Sequence, residues 1–266
     1  MRLFSFLGFL HMVCAFQVEN ILLRADRFVK KISEIYDVDE SHNHIHSRHV
    51  LHYATEIMKK KPHLTQHQVL LVSLGSMLHD IVDEKYIYQS VHDQILHSAF
   101  SFILSDHDSK TFDTPLRLFM KNMSFSKTVH THPKSRRLMF ILPDTLTGHP
   151  DLECYHVIRQ ADLLSSYNIK RTIMYRQHKS GYQKSDSHVM AETMELFQNR
   201  MWKLIASEPC VFVDDFVKND MARVLDKMSR LKLKVGSRDY GMDPDVLFSD
   251  TIKDIQHIFS CAKKTD

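Results

Sequence analysis

Apolar residues recur at helical spacing through almost all of this chain, a pattern that leaves room for little except α-helices. Between residues 17 and 36 they fall at Val18, Ile21, Leu22, Phe28, Val29, Ile32 and Ile35, with Arg24, Asp26, Lys30 and Lys31 on the other face. Similar stripes predict helices over Ser41–Lys60, Thr65–Asp80, Asp93–Leu104, Pro115–Met123, Asp151–Tyr175, His188–Ile205, Met221–Leu233 and Val246–Cys261. Six glycines and seven prolines in 266 residues are few breakers for such a pattern. Strand patterns are scarce, and Cys210–Val213 is the best of them. Asp37–Glu40 reads as a polar break with Ser41 as a helix cap. Ser105–Thr114 and His130–Pro150 read as polar loops. The expectation is an all-α chain, long enough for one large domain or a domain plus an extension.

A net charge of +3 is too small to support a claim about nucleic acid or acidic membranes, no nucleic-acid partner is expected, and Lys59–Lys61 reads as a solvated helix end. The four cysteines, Cys14, Cys154, Cys210 and Cys261, form neither a CxxC pair nor zinc-finger spacing, so free thiols in a reducing, cytoplasmic compartment are expected. Leu3–Ala15 is nearly all apolar after Arg2, and Val13-x-Ala15 has the form of a signal-peptidase site. The run is too short to span a membrane. It reads either as a secretory signal or as an N-terminal helix.

Nineteen histidines are the compositional excess, and five of them fall between His42 and His52. His46 lies one turn before Val50, on the apolar face of its helix. His79 and Asp80 close the apolar run Val69–Leu78, and Asp162 interrupts the stripe Leu152–Tyr167. Each has a plain reading as a satisfied core or helix-end residue. A buried charge nevertheless needs a partner or a metal. Two imidazoles and two carboxylates make a mixed N/O donor set, suited to an octahedral divalent ion with open water positions, such as Mn²⁺, Mg²⁺, Fe²⁺, Co²⁺ or Ni²⁺. Structural zinc more often recruits thiols, and no cysteine is near these positions.

Four elements, in order, resemble the HD-domain metal-dependent phosphohydrolases. SHNHIHSRHV is similar to the family's Ser-His-Asp-x-x-His-x-x-Arg-Val, and LHDIVDEKY to its Leu-His-Asp-x-x-Asp-x-Lys-Phe/Tyr. MSFSK resembles the Ser-Phe-Ser or Ser-Tyr-Ser element, and HVIRQADLL with Arg171 resembles the last ligand segment and its trailing arginine. Asn43, His49 and Ser165 depart from the pattern, where relatives often carry Asp, Arg and an acid. The resemblance implies an HD helical bundle over residues 20–205; the apolar segment 1–19 and a C-terminal helical extension 206–266 lie outside it.

It further implies metal ligands His46, His79, Asp80 and Asp162, holding a divalent ion, with Mn²⁺ or Mg²⁺ first. The implied reaction is hydrolysis of a phosphate ester or anhydride, the substrate a small phosphate compound such as a nucleotide. Asp83 would take the proton from the attacking water, or is a surface acid. Lys85 and Arg171 would neutralise phosphate charge, or sit in salt bridges. His42 has the place of the leaving-group acid in cyclic-nucleotide phosphodiesterases, which resemble this pattern distantly. Ser124 and Ser126 read as structural caps, and no Gly-x-Ser-x-Gly turn supports a serine nucleophile. Three alternatives stay open: an HD activity on a signalling nucleotide or phosphodiester, a degenerate HD fold binding nucleotide or metal as a regulator, and a histidine-rich helical protein with no site. No membrane span is expected, and a homo-oligomer fits the extension.

Overall fold

The structure, a computed structural model, describes residues 2–39, 41–167, 172–173, 176, 184–230 and 243–263. Among them the chain is all-α apart from one two-stranded sheet. The helices are α1 (Arg2–Ile35), α2 (His44–Met58), α3 (Gln66–Leu78), α4 (His92–Ile103), α5 (Asp106–Asn122), α6 (Phe125–Thr128), α7 (Leu152–Ser166), α8 (Asp186–Ile205), α9 (Asp215–Arg230) and α10 (Pro244–Cys261).

α2, α3 and α7 pack on one another at the centre. Val50, Leu51, Val69, Leu71, Leu74, Val157 and Ile158 are fully buried between them. α3 and α7 approach so closely at Gly75 that a Cβ there would run into the Ile158 side chain. α1 lies across α3 and α4. Its C-terminus is closed by Asp37 at φ 49°, with Val38 N donating to Ser33 O at 2.9 Å, a Schellman end. α1 runs unbroken past residue 19, so no structural boundary separates residues 2–19 from residues 20–35.

α10 packs against α1, α2 and α3, and Phe248, Ile252 and Ile255 belong to the common core. The described residues of the expected extension, 206–230 and 243–263, form α9 and α10 and share the core of residues 20–205. The buried Arg48 ties these parts together. It forks onto Asp26 of α1 at 2.7 and 2.9 Å, reaches Asp245 of α10 at 2.5 Å and lies over the Phe248 ring at 4.7 Å.

Several local readings are corrected. Asn43, not Ser41, caps α2: its side chain accepts from the backbone N–H of Ile45 and His46. Ser105–Thr114 is the first half of α5, capped by Ser105 and continuous through Pro115. A proline inside a helix removes one backbone bond. Phe112 and Leu116, buried on either side of it, hold the two halves together. His130–Pro150 contains most of a hairpin, β1 (Val129–Thr131) paired antiparallel with β2 (Leu138–Phe140). Cys210–Val213 is not a strand. Val211 N donates to Ser207 Oγ and Val211 O accepts from Arg159, so its backbone groups are met by side chains. Lys61 is not a solvated lysine: it bridges Glu153 at 2.9 Å and Asp214 at 2.8 Å. No helix among the described residues is long and apolar enough to cross a membrane.

Candidate metal centre

Three central helices deliver the expected ligands to one point. α2 is set by its Asn43 cap, which places the buried His46 in the first turn. α3 starts in a Thr65–Gln68 capping box and ends at His79, so His79 and Asp80 leave the helix together. α7 brings Asp162. The ligand atoms of His46, His79 and Asp162 lie within 4.8 Å of one another. Asp80 Oδ2 is 3.1 Å from His79 Nε2 and 3.4 Å from His46 Nε2. Asp162 Oδ1 is 3.2 Å from His46 Nε2 and 3.7 Å from His79 Nε2. The histidines are buried, while Asp80 and Asp162 keep 21% and 27% of their side-chain surface open, so Asp162 is not the fully buried acid its apolar stripe suggests.

The orientation of the two rings fits a metal. His79 Nδ1 is 2.9 Å from Ser76 O, a pure acceptor, so Nδ1 donates and Nε2 faces the cluster. His46 Nδ1 meets Ser165 Oγ at 3.2 Å, turning its Nε2 the same way. Fixing one ring nitrogen so that the other can ligate is the usual outer support of a metal site. Ser165, a departure from the family pattern, thus serves as support for His46.

Burial pushes the His79 ring downward, but the Asp80 carboxylate beside it prevails and holds it up at about 9. Burial would raise Asp80; His79 and His46 overcome that and keep it well below the usual carboxylate range. Asp162 is lowered likewise, burial being outweighed by the hydrogen bond from His46 and the charge of His79. The cluster is an anionic pocket that retains a proton on a histidine, the electrostatics of a cation site.

The cluster forms the floor of an open cavity of about 1130 Å³. His42 and Asp83 line it, with His42 Nε2 3.5 Å from Asp83 Oδ2. Burial lowers His42 below its ordinary 6.5, the Asp80 charge opposing. Lys85 does not line the cavity. It turns to Asp39 at 3.5 Å and donates to Tyr86 Oη at 2.6 Å, the salt-bridge alternative. Arg171 lies outside the described residues. Ser124 makes no capping bond; Ser124 and Ser126 pair with each other at 3.0 Å on the cavity wall, which corrects their reading as caps.

The sequence reading missed the cations of this cavity. Arg117, Lys121, Lys127, Arg176 and Arg200 all line the cavity. Arg117 and Lys121 stand four residues apart within the helix expected over Pro115–Met123, but that spacing alone does not mark a cavity wall. Compared with known proteins, the chain matches no family model, no curated protein and no solved structure.

Proposed function

We propose that the chain is a divalent-metal-dependent phosphohydrolase of the HD type, acting on a nucleotide or similar phosphate ester or anhydride. The observation that carries this reading is the convergence of His46, His79, Asp80 and Asp162 from three helices, with both Nδ1 atoms held away and both Nε2 atoms turned inward. These four residues would hold the ion, Mn²⁺ or Mg²⁺ first, with Fe²⁺, Co²⁺ and Ni²⁺ compatible with the same donors. Such an ion supplies a water of lowered pKa and polarises a phosphoryl oxygen.

The chain's own groups do the rest. Asp83, on the cavity side of the turn after α3, takes the proton of the attacking water. His42, hydrogen-bonded within the Asp39–Ser41–Tyr86 group and 3.5 Å from Asp83, donates to the leaving oxygen. The described cysteines, Cys154, Cys210 and Cys261, are free thiols, in keeping with a cytoplasmic enzyme.

The test is phosphate and pyrophosphate release from a panel of nucleotides with Mn²⁺, wild type against Asp80→Ala, run with light scattering to read the oligomeric state. Release confined to the wild type supports the reading. No release from folded, metal-loaded wild type refutes it.

A further inference from the structure

Charge in the cavity is segregated. Of the carboxylates that line it, Asp80, Asp83, Glu84 and Asp162 lie on α7 and the segment after α3, and Asp93 of α4 is paired with Arg117, whereas the cations Arg117, Lys121, Lys127 and Arg200 come from α5, α6 and α8. Not all of those cations are available to a ligand. Arg117 is held by Asp113 at 2.6 Å and Asp93 at 2.9 Å, and Arg176 by Glu192 at 3.2 Å. Lys121, Lys127 and Arg200 differ: among the described residues none has a carboxylate within ion-pair distance. Lys127 Nζ donates instead to Lys121 O at 3.1 Å, which brings the end of α5 and α6 together. The Arg200 guanidinium lies 4.9 Å over the Phe125 ring, so α8 is drawn to the same wall. Three separate elements therefore turn unneutralised cations toward one cavity. The hydroxyls of Ser124 and Ser126 stand on the same wall.

We propose that Lys121, Lys127 and Arg200 form a second anion subsite, built from residues other than the metal ligands, that receives a non-reacting phosphate group of the substrate. This inference rests on the phosphohydrolase reading for its catalytic consequence, but not for the binding itself. It narrows the substrate class to compounds with at least two phosphate groups. A monophosphate ester would fill only the metal end, while a guanidinium and two ammonium groups would bind the remaining phosphate by charge-assisted hydrogen bonds. Arg176 and Arg117, already paired, are excluded from the role.

The test has two arms, using the full chain and the exposed-site variants Lys127→Gln, Arg200→Gln and Lys121→Gln/Lys127→Gln/Arg200→Gln, with their thermal melts as a folding control. In the first arm, binding of inorganic tripolyphosphate is measured by calorimetry with EDTA present. Wild type is expected to bind, each single variant to lose on the order of tenfold and the triple variant about 100-fold or more, since one charged hydrogen bond is worth about that factor. In the second arm, kcat/KM with Mn²⁺ is compared for adenosine triphosphate and p-nitrophenyl phosphate. The variants are expected to lose the triphosphate by similar factors and to keep the single-phosphate substrate within about twofold. Tripolyphosphate bound as tightly by the triple variant as by wild type, or equal losses on both substrates, would overturn the subsite. Absence of all hydrolysis with variant-sensitive tripolyphosphate binding intact would sink the enzymatic reading and leave the subsite standing.

Discussion

The Nε2 atoms of His46 and His79 lie 3.2 Å apart, one from α2 and one from the end of α3. Two imidazole lone pairs at that distance need a shared cation or a proton. His79 is raised from 6.5 to about 9, burial being outweighed by Asp80, so the proton resides on that ring below pH 9. A group raised on folding contributes stability that is complete below its unfolded pKa and lost as pH rises through the folded value. A divalent ion competes with this proton. Mn²⁺ affinity is expected to rise by about tenfold per pH unit between pH 7 and 9 and to level off above, with about one proton released per ion. Calorimetry in buffers of different ionisation enthalpy reads both; a pH-independent affinity counts against the site.

Ser165 meets His46 at 3.2 Å across 119 residues of chain and would support a bound ion through that ring. Removing the hydroxyl in Ser165→Ala should weaken Mn²⁺ binding by about 10–100-fold, the usual cost of losing an outer-shell partner. The melting temperature of the metal-free protein should change little, since the substitution suits a helix interior. Equal metal affinity would show that His46 is oriented by packing alone.

His42 offers a second pH dependence. Burial lowers its pKa below 6.5, so it is largely neutral at pH 7. As an acid to the leaving group it must carry a proton, so kcat should decline as pH rises above that lowered value. His42→Asn should remove this limb and reduce kcat by about 10²–10⁴-fold on substrates with poor leaving groups. With p-nitrophenyl phosphate, whose leaving group needs no proton, the loss should be much smaller. A uniform loss on both would mark His42 as a support for Asp83 instead.

The forces involved decide how much of the fold and the site was legible in the sequence. The helices α2, α3 and α7 bury wide apolar faces, and such faces declare themselves by spacing. Their ligands could be read because each interrupts or ends an apolar stripe. α5 was half hidden: Asp106, His107, Asp108 and Lys110 give its first turns a loop composition, and Pro115 masks its continuity. The β1–β2 pair is only three residues per strand, too short for an alternating pattern to show. Lys121, Lys127 and Arg200 look like any solvated helix cations until folding gathers them, so a cation wall made from three elements leaves no local signature. Nor did the sequence show that Lys85 would turn to Asp39, because a flexible ammonium group takes whichever acid the fold supplies.

The Arg48–Asp26 pair, with Arg48 almost enclosed between α1, α2 and Phe248, ties the terminal helices to the core. Removing one partner of a buried pair leaves the other uncompensated, at a cost of about 3–5 kcal/mol. Asp26→Ala should therefore lower the urea midpoint markedly without altering metal stoichiometry in the folded fraction. A change under about 1 kcal/mol would mean that Asp245 alone satisfies Arg48.

The most direct measurement is the divalent-metal content of purified protein after Mn²⁺ loading and dialysis, taken together with phosphate release, for wild type and Asp80→Ala. The expected result is stoichiometric metal and metal-dependent release in the wild type, and loss of both in a variant that still melts cooperatively. Wild type that retains no stoichiometric ion, or a variant that keeps its metal and its activity, would contradict the assignment of His46, His79, Asp80 and Asp162 as one metal centre.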